Sequence, residues 1–300
     1  MTIERTRNGE VEIAYETLGD PRGEPLLLVM GTGGQMLSWP DGFCDCLTER
    51  GFHIARFDNR DSGLSTHLNG AGRPNQLTML LRPAAGAVYR LEDMAGDAVA
   101  VLDALGWRCA HVVGMSQGGM IAQTLAVRHP DRVRSLTSIA SSPAPRLGQP
   151  TPGTLLRVLR VANPRRVQSA EDLAQYLVDL RQVTGSPGYP ADEEWLRDLG
   201  RRSYDRGGLD TASVQRQTAA ITASGDRREE LRQVRVPTLV LHGEDDRMIR
   251  PVAGRATAGA IPGARLVTYA GMGHELPRAL WPAIADEIAA VARRTAPAVS

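Results

Sequence analysis

Apolar positions along the chain fall into two alternating patterns. Val11 to Thr17 alternates apolar and polar residues, as in a half-buried strand. Leu26 to Met30 is a continuous apolar run, as in a strand buried on both faces, and His53 to Phe57 reads the same way. Phe43 to Arg50 and Leu91 to Leu105 carry helical spacing, the second with Met94, Val101, Leu102 and Leu105 on its inner side. A strand at His111–Val113, a helix from Ser116 to about Arg128 ended by Pro130, and a strand at Val133–Ile139 follow. Residues 66–90, rich in Gly, Pro and Asn, read as irregular.

This strand–helix alternation predicts an α/β fold, a mostly parallel central sheet with helices on both faces. It breaks between Ala144 and Val234, where helices occur without convincing strands. Ser169 starts one of them with a capping-box pattern, and Trp195, Leu196 and Leu199 mark another. The parallel pattern resumes at Pro237–Gly243 and continues through a strand at Ala264–Tyr269 and a helix at Trp281–Arg294. The expected organisation is a core of residues 1–143 and 235–300, interrupted by a helical lid of residues 144–234. Ligands of such sheets bind beyond the carboxyl ends of the strands, so the lid would form one wall of the pocket.

The strand-to-helix junction Gly114-Met115-Ser116-Gln117-Gly118 has the G-x-S-x-G form of a nucleophile elbow. A serine hydroxyl becomes a useful nucleophile when it is exposed, next to a base and at the positive end of a helix. Glycines at 114 and 118 remove the side chains that would collide with so sharp a turn. A serine nucleophile needs a base, and the base needs an orienting acid. His274 lies in the Gly-rich loop Ala270–Glu275 after a strand and is the candidate base. His111 and His242 sit in or at the end of strands and read as packed. Glu244, Asp245 and Asp246 compete for the acid, with Asp246 the choice and Asp245 next. The order Ser116, Asp246, His274 is that of an α/β-hydrolase triad. The oxyanion would be held by the N–H of Gln117 and the N–H of Thr32, in the loop after the earlier buried strand.

Composition mostly narrows the field. Net charge is +1, so no nucleic-acid or acidic-membrane partner is expected. All the basic residues are Arg and are scattered among acids. There is no apolar leader-like stretch at the N-terminus and no apolar run long enough to span a membrane. The odd number of cysteines, Cys44, Cys46 and Cys109, fits a reducing, cytoplasmic compartment. No His/Cys cluster suggests a metal.

At this point the chain resembles the α/β-hydrolase superfamily over nearly its whole length. Leu26–Gly31 resembles the oxyanion strand and loop. Asp58–Ser65 resembles the D-x-R-x-x-G-x-S segment, usually structural, so Asp58 and Arg60 are not taken as catalytic. Pro237–Gly243 with Asp246, and Gly271–His274, resemble the acid and base segments. Val29-Met30-Gly31, Trp39-Pro40, Asp58–Ser65 and Gly271–His274 are most similar to the branch that includes aclacinomycin methylesterase, with departures at Thr32–Gln35 and at Gln117. The resemblance implies a serine carboxylic-ester hydrolase without a cofactor, acting on a small-molecule ester. Ser116 speaks against the epoxide hydrolases and haloalkane dehalogenases of the fold, which place Asp there, and against dienelactone hydrolases, which use Cys. Thioesterases, C–C bond hydrolases, cofactor-free haloperoxidases and non-hydrolytic members stay open.

The expected pocket is mainly apolar. It would take short or medium acyl esters or a bulky polyketide-type methyl ester. Met36 and Leu37 are candidates to line the acyl site, Trp39, Trp195, Tyr176, Tyr189 and Tyr204 could face the pocket, and Arg201, Arg202 and Arg206 read as solvated.

Overall fold

The computed structural model describes residues 2–74, 78, 82–161 and 167–295. Among these the sheet has eight strands: β1 (Glu4–Asn8), β2 (Val11–Leu18), β3 (Glu24–Val29), β4 (Phe52–Phe57), β5 (Ala110–Met115), β6 (Val133–Ile139), β7 (Thr238–Gly243) and β8 (Arg265–Tyr269). Their spatial order is β1-β2-β4-β3-β5-β6-β7-β8. β1, β2 and β4 pair antiparallel, and every pairing from β4 to β8 is parallel. The predicted α/β class is therefore the observed one.

The main helices are α1 (Asp41–Thr48), α2 (Leu91–Ala104), α3 (Gln117–Arg128), α4 (Pro152–Val161), α5 (Ala170–Thr184), α6 (Glu193–Asp205), α7 (Thr211–Ala223), α8 (Val252–Ala260) and α9 (Trp281–Ala292). Alternate residues of the central strands point to opposite faces. In β3, Leu27 and Val29 join the core beneath α2 and α3, while Leu26 and Leu28 join the core beneath α1 and α9. Burial on both faces explains why these strands read as unbroken apolar runs.

Helices α4 to α7 all lie in the segment between β6 and β7. Ser169 caps α5 as its sequence suggests, accepting from the Asp172 N–H at 3.2 Å. α5 and α6 pack against each other, and Leu199 meets Met36 and Leu37 in a small core of its own.

Three readings need correction. β1 has no apolar signature and went unseen, because it is an edge strand with mostly exposed side chains. Residues 66–90 are not wholly irregular: a 3-10 turn spans Asn69–Ala71 and one helical turn spans Pro83–Gly86, while 75–77 and 79–81 lie outside the described residues. Arg206 is not solvated. Its guanidinium donates to Asp58 at 2.7 Å and to Gln35 at 3.1 Å, tying the end of α6 to the core.

Sheet order decides where a site can form. The chain passes from β3 to β4 on one side, then returns to place β5 on the other side of β3. The loops after β3 and β5 therefore diverge from adjacent strand ends, which is the crevice such sheets use for ligands.

Candidate active site

The elbow follows from the β5–α3 junction. Ser116 has φ 57° and ψ −122°, an uncommon backbone conformation for a residue with a Cβ. It is held by its N–H to Ile139 O at 2.9 Å and by the Ser141 hydroxyl on its carbonyl at 2.7 Å. The glycines around it are steric requirements. A Cβ at Gly114 would lie 2.1 Å from Gly118 O, and one at Gly118 would lie 2.0 Å from Val29 O. No side-chain rotation relieves a clash with backbone. The result is an Oγ directed away from the sheet, just ahead of the first turn of α3.

Parallel pairing of Val29 with Gly114 brings the loop after β3 beside the elbow. A Cβ at Gly31 would stand 2.9 Å from Ser116 Cβ, so only Gly allows this approach. In the same loop the Gly33 N–H donates to Gln217 Oε1 at 2.7 Å and the Gly34 N–H to Gly31 O at 3.1 Å. The Thr32 hydroxyl donates to Gln117 Oε1 at 3.0 Å, so the residues named for the oxyanion are linked through their side chains.

The acid and base come from the neighbouring strand ends. His274 Nε2 lies 3.0 Å from Ser116 Oγ, and Nδ1 lies 2.7 Å from Asp246 Oδ2. The other Asp246 oxygen accepts the N–H groups of Met248 and Ile249 at 2.8 and 2.9 Å, which orients the carboxylate. The competing acids are engaged elsewhere: Asp245 accepts the Gly271 N–H and Glu244 the Thr268 hydroxyl. Both bonds fasten the histidine-bearing strand and loop to the acid loop. His242 is buried with Nε2 2.7 Å from Ile249 O, and His111 is buried against Ser135, with burial pushing its ring down to about 4. Both match the packed reading.

Burial disfavours a charged His274. The Asp246 charge and hydrogen bond outweigh that penalty and hold the imidazole above its usual value, with a further push from Glu275. A ring fixed this way presents Nε2 to the serine, and the Asp246 carboxylate makes it more basic by stabilising the positive charge a proton brings.

The helical insertion meets the loop that carries His274. The Thr184 carbonyl accepts the His274 N–H at 2.8 Å, and the Ser186 hydroxyl accepts the Gly273 N–H at 2.9 Å. Arg181 binds Glu275 at 3.1 Å. Two neighbouring cavities, or lobes, lie there and share part of their lining. One, ≈ 210 Å³, reaches His274 and is walled by Met30, Met115, Trp195, Leu196 and Trp281. The other, ≈ 250 Å³, lies along Thr32–Gln35 and is walled by Tyr176, Leu209 and Val214. Ser38, Leu177, Leu180 and Leu199 border both. Trp195 and Tyr176 thus line the cavities. Met36 and Leu37 do not line either lobe: they are buried against Ala14 and Leu199, because the 3-10 turn Met36–Ser38 directs them into the core. Trp39 stacks on Phe43 in the core rather than facing a ligand. The Tyr189 hydroxyl reaches the Ala270 carbonyl, and Tyr204 stands on the surface bonded to Gln168 O. Sequence reasoning missed Gln217, Trp281 and Glu275. Only Glu275, adjacent to His274, carried any local signal.

Comparison with known proteins shows the family to which the chain belongs. A family model described as the alpha/beta hydrolase fold matches residues 24–277. A rhodomycin D methylesterase of Streptomyces peucetius is 32% identical over 98% of this chain and 99% of its own length. A second rhodomycin D methylesterase, from Streptomyces sp. strain C5, is 31% identical over 95% of this chain and 96% of its own. The crystal structure of an esterase from Rhodococcus sp. ECU1013 superposes with a TM-score of 0.72 at 18% identity, covering 99% of this chain and 100% of that one, a likeness of fold. No helix among the described residues is long and apolar enough to cross a membrane.

Proposed function

The chain belongs to the α/β-hydrolase fold family, and from that premise we propose that it is a serine carboxylic-ester hydrolase working through an acyl-enzyme. The observation that carries the reading is His274, 3.0 Å from Ser116 Oγ on one side and 2.7 Å from Asp246 on the other. In this reading Ser116 Oγ attacks the ester carbonyl carbon as its proton passes to His274 Nε2. The C=O bond opens to an oxyanion, which the N–H groups of Gln117 and Thr32 receive. Gly33 and Gly34 have their N–H groups engaged within the protein, which removes them as rivals to the Thr32 N–H. Collapse of the tetrahedral centre breaks the C–O bond to the alcohol, and His274 returns the proton to the leaving oxygen. Water then repeats the sequence with His274 as base, releasing the acid and restoring the serine. Asp246 orients the ring and stabilises its positive charge throughout.

Residues 144–234 are assigned as a cap over a core formed by 1–143 and 235–300. The apolar walls of both lobes favour a small or medium, mainly apolar ester. The two methylesterase relatives point to the methyl ester of a bulky polyketide-type acid as the variant to test alongside simple esters. Hydrolysis of a p-nitrophenyl ester series and of bulky aromatic methyl esters, by wild type and Ser116→Ala, tests the assignment. Saturable turnover that falls at least about 10⁴-fold in the variant is the expected result. Turnover surviving in Ser116→Ala would overturn it.

A further inference from the structure

Gln117 and Gln217 form a buried ring of hydrogen bonds around the loop that carries Thr32. Gln217 projects from α7, and its side chain and that of Gln117 are fully buried. Backbone partners set the orientation of each amide. The Gly33 N–H can only donate, so it meets Gln217 Oε1, at 2.7 Å. The Arg60 carbonyl can only accept, so it meets Gln217 Nε2, at 2.8 Å, and Ser62 Oγ takes the second hydrogen at 3.0 Å. The Gln217 carbonyl in turn accepts from Gln117 Nε2 at 2.9 Å. That leaves Gln117 Oε1 for the Thr32 hydroxyl, 3.0 Å away. The ring therefore runs Gln117, Thr32, Gly33, Gln217 and back to Gln117.

Its position relative to the chemistry gives the ring a purpose. The loop between Gly31 and Gly34 is rich in glycine, and Gly33 sits at φ +69°, so the backbone by itself does little to hold one conformation. Thr32 lies between the two points that are tied. Its own hydroxyl is held by the core residue Gln117, and the next peptide N–H is held by the cap residue Gln217. Val214, one turn earlier on α7, packs over Gly33, where a Cβ would approach its Cγ2 to 3.1 Å. A donor for a developing oxyanion is useful only if it is fixed before the charge forms.

We propose that Gln217 is a positioning residue of the oxyanion hole, through which the cap holds the Thr32 N–H in register with the Gln117 N–H. This rests on the serine-hydrolase reading above. The cap is then more than a wall of the pocket: the hole is complete only with α7 seated. Gln217 touches no substrate. It acts on the transition state through the Gly33 peptide, so its loss lowers kcat and leaves ground-state binding nearly untouched.

The test is steady-state hydrolysis of p-nitrophenyl butyrate, normalised to active sites counted with a fluorophosphonate probe in every protein that keeps Ser116, and to folded protein measured by circular dichroism in Ser116→Ala. The variants are Gln217→Met, which keeps length and removes polarity, Thr32→Val, Thr32→Ser, Ser116→Ala and, as a control on the exposed side of α7, Thr218→Ala. Gln217→Met is expected to lose about 10- to 100-fold in kcat, less than deletion of a donor outright, with KM within about 3-fold. Thr32→Val should fall in the same sense, and Thr32→Ser, which keeps the hydroxyl, should recover most of the loss. Thr218→Ala should match wild type. Wild-type kcat in both Gln217→Met and Thr32→Val, or a change confined to KM, would overturn the proposal while Ser116→Ala stays inactive. Undiminished hydrolysis in Ser116→Ala would remove the serine-hydrolase reading and this one with it.

Discussion

The core and the cap bury their residues by different means. In the core, β3 to β7 lie between two apolar layers, and the elbow, the loop after β3 and the acid loop emerge from strand ends with hardly any freedom. The cap covers the same site with amphipathic helices. Leu155, Leu156 and Leu159 on α4 remain 48–62% exposed. Its attachment to the core depends heavily on polar links: Arg206 to Asp58, Arg216 to Asp61, Arg181 to Glu275 and Gln217 to Gly33. Apolar packing is insensitive to direction, whereas each of these links has one geometry. The contrast teaches that the strands carrying the candidate triad rest on packing, while the helical insertion is tied to the core by a few specific bonds.

The largest test of that contrast is the Arg216–Asp61 pair. Both side chains have no exposure, and the guanidinium meets the carboxylate through two bonds of 2.6 and 2.8 Å. Asp61 also accepts from the Tyr89 hydroxyl at 2.7 Å and sits at φ 65°. Arg216→Met leaves the acid buried without its cation, and the expected loss of stability is about 3–5 kcal/mol by urea unfolding. The double variant with Asp61→Asn should regain part of it. A loss below about 1 kcal/mol would mean that the cap is held by packing after all.

A smaller effect is expected at the wall between the lobes. Leu180 borders both, and Leu180→Phe should reduce the space beside it. The ratio of kcat/KM for p-nitrophenyl octanoate to that for the acetate should fall about 10-fold, since a pocket contact discriminates by about 1–3 kcal/mol. Turnover of the acetate should change little. An equal fall for both esters would show that the cap wall disturbs the chemistry instead of sorting substrates.

The smallest effect concerns the charge that the cap borders. On the proposed mechanism hydrolysis needs neutral His274, and its pKa stands above the ordinary imidazole value, so kcat/KM should rise with pH through a limb displaced to the alkaline side of that value. Glu275, bound by Arg181 of α5, contributes to the upward shift. Glu275→Gln removes that contribution, so the limb should move to lower pH by a few tenths of a unit. Movement in the opposite direction would break the electrostatic account.

Much of the site was legible because its demands are local. A strand, a turn and a helix within Ala110–Arg128 specify the elbow, and Gly114 and Gly118 are there because a Cβ would strike backbone. His274 could be picked out by its Gly-rich loop after a strand. The acid was less certain, since Glu244, Asp245 and Asp246 look alike in sequence, and the turn that gives Asp246 the Met248 and Ile249 N–H groups separates them. Arg206 looked solvated because its partner Asp58 lies 148 residues earlier. Met36 and Leu37 looked like pocket residues because proximity along the chain says nothing about which way a 3-10 turn faces.

By itself, then, the sequence determined the alternation of strands and helices, the elbow and the candidate serine and histidine, since each follows from periodicity or from local rules within a few residues. Only the tertiary structure decided which acid meets the base, which residues line the cavities, and that Gln217 bonds a loop residue 184 positions before it. A side-chain amide in a plain helical stretch has no signature of its own. Its role arises when the fold buries it among backbone groups that must be satisfied.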